Sequence, residues 1–387
     1  MFKANVGSSV LQAAKEAGVE AAKAAVAGLE DVKLAYVYCS CSYDVSEVMS
    51  GVAEILGDVP CIGNTSFTGV VTPEGYVGGD VPFVGIMALS DPEMVVGAAL
   101  CTAGEDPYAE GVALAKAALA SAGKDTAPDY FYMVASPVDE EDYLKGISNV
   151  VGRVPFFGGS AADNSIAGEW SLFVNGSICS DGAAIAVVYG GGKMTNLFTG
   201  TYRETDDYGV ITKVDGRRAL CEIDGVPALD KYMEWTGCDK EAVTGGNLLV
   251  TTITSPLGVK DRLGNLVAIR HPMNGNDDGS MNIGNNLAEK TCIIRMEASV
   301  DELISSVEDT LLALLEKAPA KPSALHLVHC GGRRAGIGDR IGEVAAIAQK
   351  VVGDIPFIME FTFGEYGFES DNNNTCGGLM LSFTAFC

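Results

Sequence analysis

The chain has 387 residues, with 51 acidic and 26 basic side chains and a net charge of −25 at pH 7. Hydrophobic residues make up 48% and charged residues 20%, which excludes a disordered chain and leaves room for two domains with cores of their own. Residues 1–218 and 219–387 are each net acidic, so nucleic acid and anionic membrane surfaces are poor partners.

No uncharged apolar run reaches the roughly 18 residues of a membrane span. The opening residues Met1-Phe2-Lys3-Ala4-Asn5-Val6 lack the apolar core of a secretion signal. A soluble, cytoplasmic protein is therefore expected. Its eleven cysteines include no CxxC pair, so they read as reduced thiols.

In chain order, residues 8–28 read as a long helix and 33–39 as an apolar strand. A helix follows at 45–56, then the turn Val59-Pro60-Cys61-Ile62-Gly63 and a late strand at 82–89. The order then returns. A long helix at 106–122 leads to a strand at 129–135, a helix at 140–151, the turn Val154-Pro155-Phe156-Phe157-Gly158 and a strand at 183–189. It returns again with a helix at 300–317, where Leu303, Val307, Leu311 and Leu314 share one face. A strand at 324–330, a helix at 341–352, the turn Ile355-Pro356-Phe357-Ile358-Met359 and a strand at 378–386 complete it.

Aligned by their first strands, the copies place Tyr38, Val134 and His329 together, and Cys39, Ala135 and Cys330 at the next position. Pro60, Pro155 and Pro356 become equivalent. A period of about 95 residues is too long for a solenoid. The reading is an α/β fold of mixed, helix-covered β-sheets, built from internally duplicated strand–helix–strand–helix–strand units. Between copies two and three, 229–236 reads as a helix, 247–253 and 266–270 as strands, and 274–286 as a polar loop. The domain change is placed near Arg218, giving domains 1–218 and 219–387.

Two sets of loops stand out. The segments after the prolines, Gly63–Gly69, Gly158–Asn164 and Phe361–Tyr366, carry glycines and small hydroxyls that let backbone N–H groups approach a ligand. The loops after the first strands lie where α/β sheets bind ligands. A metal is not expected: His326 and His329 point to opposite faces of a strand, and Cys39 and Cys41 are half a zinc site. Gly336-Ile337-Gly338-Asp339-Arg340-Ile341-Gly342 misses the dinucleotide spacing, and there is no GxSxG. Nothing in these residues asks for an enzyme, and nothing excludes one.

The runs Ile62-Gly63-Asn64-Thr65-Ser66, Phe157-Gly158-Gly159-Ser160 and Glu222-Ile223-Asp224-Gly225-Val226-Pro227-Ala228 resemble an N-terminal FIST domain. Ala268-Ile269-Arg270, Cys330-Gly331-Gly332-Arg333, Phe363-Gly364-Glu365 and Asn373-Asn374-Thr375 resemble the C-terminal FIST domain. The resemblance implies a sensory protein of signal transduction that binds a small ligand, with amino acids or related metabolites as candidates. It implies a separate signalling partner such as a kinase. Haem, bound by some members that sense nitric oxide, is the alternative it brings, and an enzyme of amino-acid metabolism a second one. Asn372 stands where the family often has histidine.

An amino-acid-like ligand wants a guanidinium for its carboxylate and an acceptor for its ammonium. The expected pocket is therefore lined by Arg270, Arg333, Gly364, Glu365, Asn372 and Asn373, with Gly63, Ser66, Gly159 and Ser160 from the N-terminal part.

Overall fold

A computed structural model describes residues 2–260, 263, 264, 266–368 and 373–387. The first repeat runs β1 (Lys3–Ser9), α1 (Ala14–Val26), β2 (Val32–Cys39), α2 (Val45–Leu56), β3 (Cys61–Thr65), the hairpin β4 (Gly69–Thr72) and β5 (Gly75–Gly78), and β6 (Val84–Ser90). The second runs β7 (Val95–Thr102), α3 (Pro107–Ser121), β8 (Tyr130–Ala135), α4 (Glu140–Val151), β9 (Phe156–Ser160), the hairpin β10 (Leu172–Val174) and β11 (Ser177–Cys179), and β12 (Gly182–Tyr189). The third opens with β13 (Met194–Thr199) and is then interrupted.

The interruption is a sheet of its own. It holds β14 (Arg203–Asp215), β15 (Ala219–Ile223), β16 (Val226–Pro227), α5 (Ala228–Thr236), α6 (Lys240–Val243), α7 (Asn247–Thr251), β17 (Leu257–Lys260), β18 (Leu266–Arg270), β19 (Pro272–Gly275), β20 (Met281–Ile283) and β21 (Cys292–Glu297). Arg218 lies in the turn between β14 and β15. The third repeat resumes with α8 (Val300–Lys317), β22 (Ala324–Cys330), α9 (Gly331–Ile337), α10 (Ile341–Val352), β23 (Phe357–Thr362), the hairpin β24 (Glu365–Phe368) and β25 (Asn374–Gly377), and β26 (Leu381–Phe386).

Among the described residues each repeat forms one six-stranded mixed sheet, and each sheet borrows its last two strands from another repeat. Hairpin β10–β11 joins β3, β24–β25 joins β9, and β4–β5 joins β23. This cyclic exchange ties the three repeats into one body. The inner faces of the sheets share an apolar core, and the helices cover the outer faces.

The repeats are built by the same local signals. Helices α2, α4 and α10 each end at a glycine with positive φ: Gly57 (58°), Gly152 (81°) and Gly353 (63°). Three residues on comes the proline. The carbonyls of Pro60, Pro155 and Pro356 accept the N–H of Ala35 (2.9 Å), Phe131 (3.1 Å) and Leu325 (2.9 Å). The glycine turns the chain out of the helix at no steric cost, and the proline sets the register of the parallel strand pair. The three prolines are thus equivalent.

That register corrects the alignment of the third copy by one residue. Ser40, Ser136 and Cys330 occupy one position, since their N–H groups bond the carbonyls of Phe83, Gly182 and Met380. Cys39 therefore matches Ala135 and His329, and Tyr36 matches Tyr132 and His326. The rings of this last trio pack together, with centroids 4.9–5.7 Å apart. Beside them lies a fully enclosed polar cluster. Tyr132 donates to Asn64 Oδ1 (3.2 Å) and Glu360 Oε1 (3.4 Å), Asn64 Nδ2 donates to Glu360 Oε2 (3.1 Å), and Tyr38 donates to Tyr132 Oη (3.1 Å).

Three other expectations change. Ser8 and Ser9 pair with Gly85 and Val84 in a sheet, and the first helix starts at Ala14. The β-rich run 247–253 is helical at Asn247–Thr251. There Thr251 Oγ1 bonds the Ala242 carbonyl and Thr252 Oγ1 those of Leu248 and Pro272, which closes helical turns where propensity alone favours a strand. The polar segment 274–286 holds strand β20, paired with β19 and β15.

Candidate functional site

The carboxyl ends of the parallel strand pairs converge on a cavity of about 350 Å³. Phe67 comes from the segment after β3, Pro137 and Val138 from the loop after β8, and Cys330, Gly331 and Gly332 from the end of β22. Phe363 follows β23, and Ile166 and Trp170 come from the loop before β10. The inserted sheet supplies the roof, with Leu249, His271, Met273, Ile283 and Asn285. The walls are mostly apolar and aromatic. The Phe363 ring lies 5.8 Å from that of Phe67 and 6.2 Å from that of Trp170, the latter nearly perpendicular.

Polar contacts fasten the roof to α4. Arg218 Nη2 bonds Glu140 Oε1 (3.1 Å) and Glu141 Oε2 (3.4 Å), while Nε bonds Asn286 Oδ1 (3.1 Å) and Nη1 the Gly284 carbonyl (2.5 Å). The Asn286 N–H donates to Glu141 (2.8 Å), and Arg217 pairs with Asp142. Burial raises the Glu140 carboxyl above its ordinary range, and Arg218 opposes that shift. Burial lowers the His271 imidazole to about 4, so it is neutral at physiological pH. Its Nε2 meets the Leu249 carbonyl at 3.1 Å, which puts the proton on Nε2 and leaves a lone pair on Nδ1.

Backbone strain gathers at this cavity. Val138 (φ 103°), Ile166 (58°) and Leu379 (57°) line it, and Thr68 (60°) adjoins Phe67. Three of these four are β-branched, for which positive φ is costly. The fully buried Asp163 holds the Ile166 loop by accepting the backbone N–H groups of Ser165, Ile166, Ala167 and Glu169. Val138 and Ile166 are 58% and 48% exposed, so two apolar side chains in unfavourable backbone stand at the cavity rim.

The described residues among those selected from sequence fall into several groups, none of them in the cavity wall. Gly159, Ser160, Gly364 and Glu365 meet where β24 joins β9: the Ser160 N–H donates to the Gly364 carbonyl (2.8 Å), and Ser160 Oγ meets Tyr366 Oη (2.7 Å). Glu365, pushed up to about 8 by burial, accepts from Thr362 Oγ1 and the Met380 N–H. Ser66 Oγ bridges to the Phe361 backbone, joining β23 to the exchanged hairpin. Gly63 lies inside β3. Arg333 is wholly buried and donates to the Leu303 carbonyl (2.9 Å) and Ser306 Oγ of α8. Arg270 bonds the Asn286 carbonyl (3.2 Å) and stands 3.9 Å from Glu141. Asn373 precedes β25, and Asn372 lies outside the described residues.

The loops singled out from sequence border the cavity, and sequence reasoning did not select Trp170, Phe67, Phe363, His271 or Asn285, which line it. One signal was available: Trp170 is one of only two tryptophans, in a loop opened by an aspartate.

Among the described residues no group of three or more His, Cys, Asp or Glu could hold a metal. The residues do not suit haem either. His326 and His329 are fully buried in the sheet, and the cavity that His271 reaches is at the small end of the range for small-molecule sites. Among the described residues no helix is long and apolar enough to cross a membrane. All eleven cysteines are free. Burial pushes the Cys39 and Cys61 thiols up to about 12 and raises Cys330 and Cys376 further. Iodoacetamide at about pH 8 should therefore spare these four in the native protein and label all eleven in urea. Peptide mass spectrometry reads the difference.

A mostly apolar cavity thus lies at the strand carboxyl ends, under a roof from an inserted sheet. Sequence models of the FIST N domain and the FIST C domain match residues 33–226 and 228–367, and the chain belongs to the FIST family. FIST domains are sensory domains of signal transduction. An uncharacterised protein of Methanocaldococcus jannaschii is 24% identical over 182 residues, which are 44% of this chain and 35% of that one. The chain thus matches about a third of that relative's length. Cyanuric acid hydrolase from A. caulinodans superposes over 100% of this chain and 99% of its own, at 12% identity and a TM-score of 0.33. PurLQS from Thermotoga maritima covers 100% and 72%, at 9% identity and a TM-score of 0.23. Overlaps this loose have no bearing on function.

Proposed function

We propose that this chain is a sensory protein that takes a small ligand, an amino acid or related metabolite, into the cavity between the three-repeat body and the inserted sheet. The observation that carries the reading is the cavity itself: mostly apolar, at the carboxyl ends of the parallel strands, and roofed by a separate sheet. The roof rests on α4 through ion pairs and hydrogen bonds, so a ligand that touches both sides changes how firmly it sits. A separate signalling protein, such as a kinase, would read that change.

A thermal-shift screen over amino acids and related metabolites tests the reading. A ligand at 100 times its dissociation constant adds about 2.7 kcal/mol to stability. Ala335 is exposed at the cavity wall on α9, so Ala335→Trp should plug the opening without disturbing the fold. The variant should melt like the parent and lose the ligand-induced shift. If no compound stabilises the protein, or the shift survives in Ala335→Trp, the reading is wrong.

A further inference from the structure

We infer that the part of the ligand enclosed by this cavity is uncharged and amide-like, a carboxamide or lactam on a flat, aromatic-sized frame. The inference rests on the cavity being the ligand site and narrows what that site accepts: an amino acid would keep its carboxylate and ammonium at the exposed rim of Val138 and Ile166, and only an uncharged part would enter.

The first argument is charge. Arg218 is the cationic side chain in the cavity wall, and it is already committed. Two carboxylates, a side-chain amide oxygen and a backbone carbonyl take its N–H groups. A buried carboxylate would find no uncompensated positive charge among the described residues of the wall. An ammonium would find no carboxylate there, because Glu140 and Glu141 lie behind Arg218 and are not part of the lining. His271 and Cys330, the other titratable groups of the wall, are held neutral by burial. An unpaired ion loses far more hydration on entering such a site than an amide does.

The second argument is unused hydrogen bonding. The buried indole N–H of Trp170 has no partner among the described residues, although buried donors are almost always bonded. It wants an acceptor such as an amide oxygen. Asn285, only 2% exposed, points its Nδ2 at Glu140 Oε1 (3.5 Å). That fixes the amide and leaves Oδ1 on the side of Gly378, which lines the cavity. Oδ1 is an acceptor and wants an N–H. One donor and one acceptor, on residues of a wall that also carries the Phe67 and Phe363 rings, complement an amide on a planar frame.

Three probes of equal size separate the possibilities: benzamide, benzoate and benzylammonium. The chain has two tryptophans, so Trp235→Phe leaves Trp170 as the sole indole fluorophore, and its emission reports occupancy. Benzamide should bind at least about tenfold more tightly than either ion. Glu141→Gln frees part of the Arg218 charge while keeping an acceptor for the Asn286 N–H. It should raise benzoate affinity several-fold and leave benzamide unchanged. Benzoate or benzylammonium binding as tightly as benzamide overturns the inference while leaving the cavity as the site. So does a Glu141→Gln variant whose benzoate affinity is unchanged. If none of the three perturbs Trp170, the cavity is not the site, and the ligand class falls with it.

Discussion

Gly63→Ala should destabilise the protein by about 3 kcal/mol or more. A Cβ built at Gly63 would lie 1.7 Å from the Val37 carbonyl oxygen, an atom of the neighbouring parallel strand. That oxygen belongs to a backbone fixed on both sides, since β2 sits between β3 and β6. Accommodation means parting β2 from β3, which are buried where they pair. The second repeat has the same arrangement, with Gly158 set 1.8 Å from the Met133 oxygen by the same construction. A control is available in Gly342, near the start of α10, where a Cβ would meet nothing within 4 Å. Gly342→Ala should be neutral or stabilising by up to about 1 kcal/mol. Urea unfolding of the two variants beside the parent gives the comparison. A Gly63→Ala protein as stable as the parent would mean that β2 and β3 do not approach as described, and would return Gly63 to a role at a ligand.

The glycine pairs explain why so much of the repeat was legible. Gly57-Asp58-Val59-Pro60, Gly152-Arg153-Val154-Pro155 and Gly353-Asp354-Ile355-Pro356 mark a helix end and a strand start within four residues. Helices 45–56, 140–151 and 341–352 were accordingly placed to the residue. The hairpin exchange was hidden because a hairpin's own sequence specifies its turn, and its outer partner comes from another repeat. The third repeat's opening strand was hidden by the sheet inserted after it. The cavity was hidden for a different reason. Phe67, Trp170 and Phe363 look like core residues in sequence, and it takes the converging loops to give them a hollow to face. Arg333 shows the converse. Its guanidinium suits a carboxylate chemically, but nothing in the sequence says that helix α8 encloses it.

Stability should fall as pH rises from about 6.5 to about 8, against the usual plateau near neutrality. Burial pushes Glu360 and Glu365 up to about 8, opposed in Glu360 by bonds from Asn64, Tyr38 and Tyr132. A carboxyl raised in the folded state keeps its proton there and loses it in the unfolded chain near pH 4.5. The folded state then binds more protons, and each raised carboxyl removes up to about 1.4 kcal/mol of stability per pH unit between those values. The histidines act the other way. Burial lowers His271 to about 4 and His326 to about 3, and His329 also falls, so below about pH 6.5 the unfolded chain takes protons that the fold refuses. Between about pH 4.5 and 6.5 the two sets oppose each other, and the three histidines outweigh the two carboxyls, so stability rises with pH by about 1 kcal/mol per unit. Above that window the histidines are neutral in both states, and the carboxyls act alone. Together they should cost about 3 kcal/mol by pH 8. Glu360→Gln removes the titrating group, keeps an oxygen to accept from Asn64 and turns an N–H toward Tyr132 Oη, and should halve the decline. Urea unfolding at several pH values between 5 and 8 measures it. A flat or rising stability above pH 6.5 would mean that Glu360 and Glu365 enter the fold ionised, with the hydrogen bonds around them strong enough to hold two charges in the core.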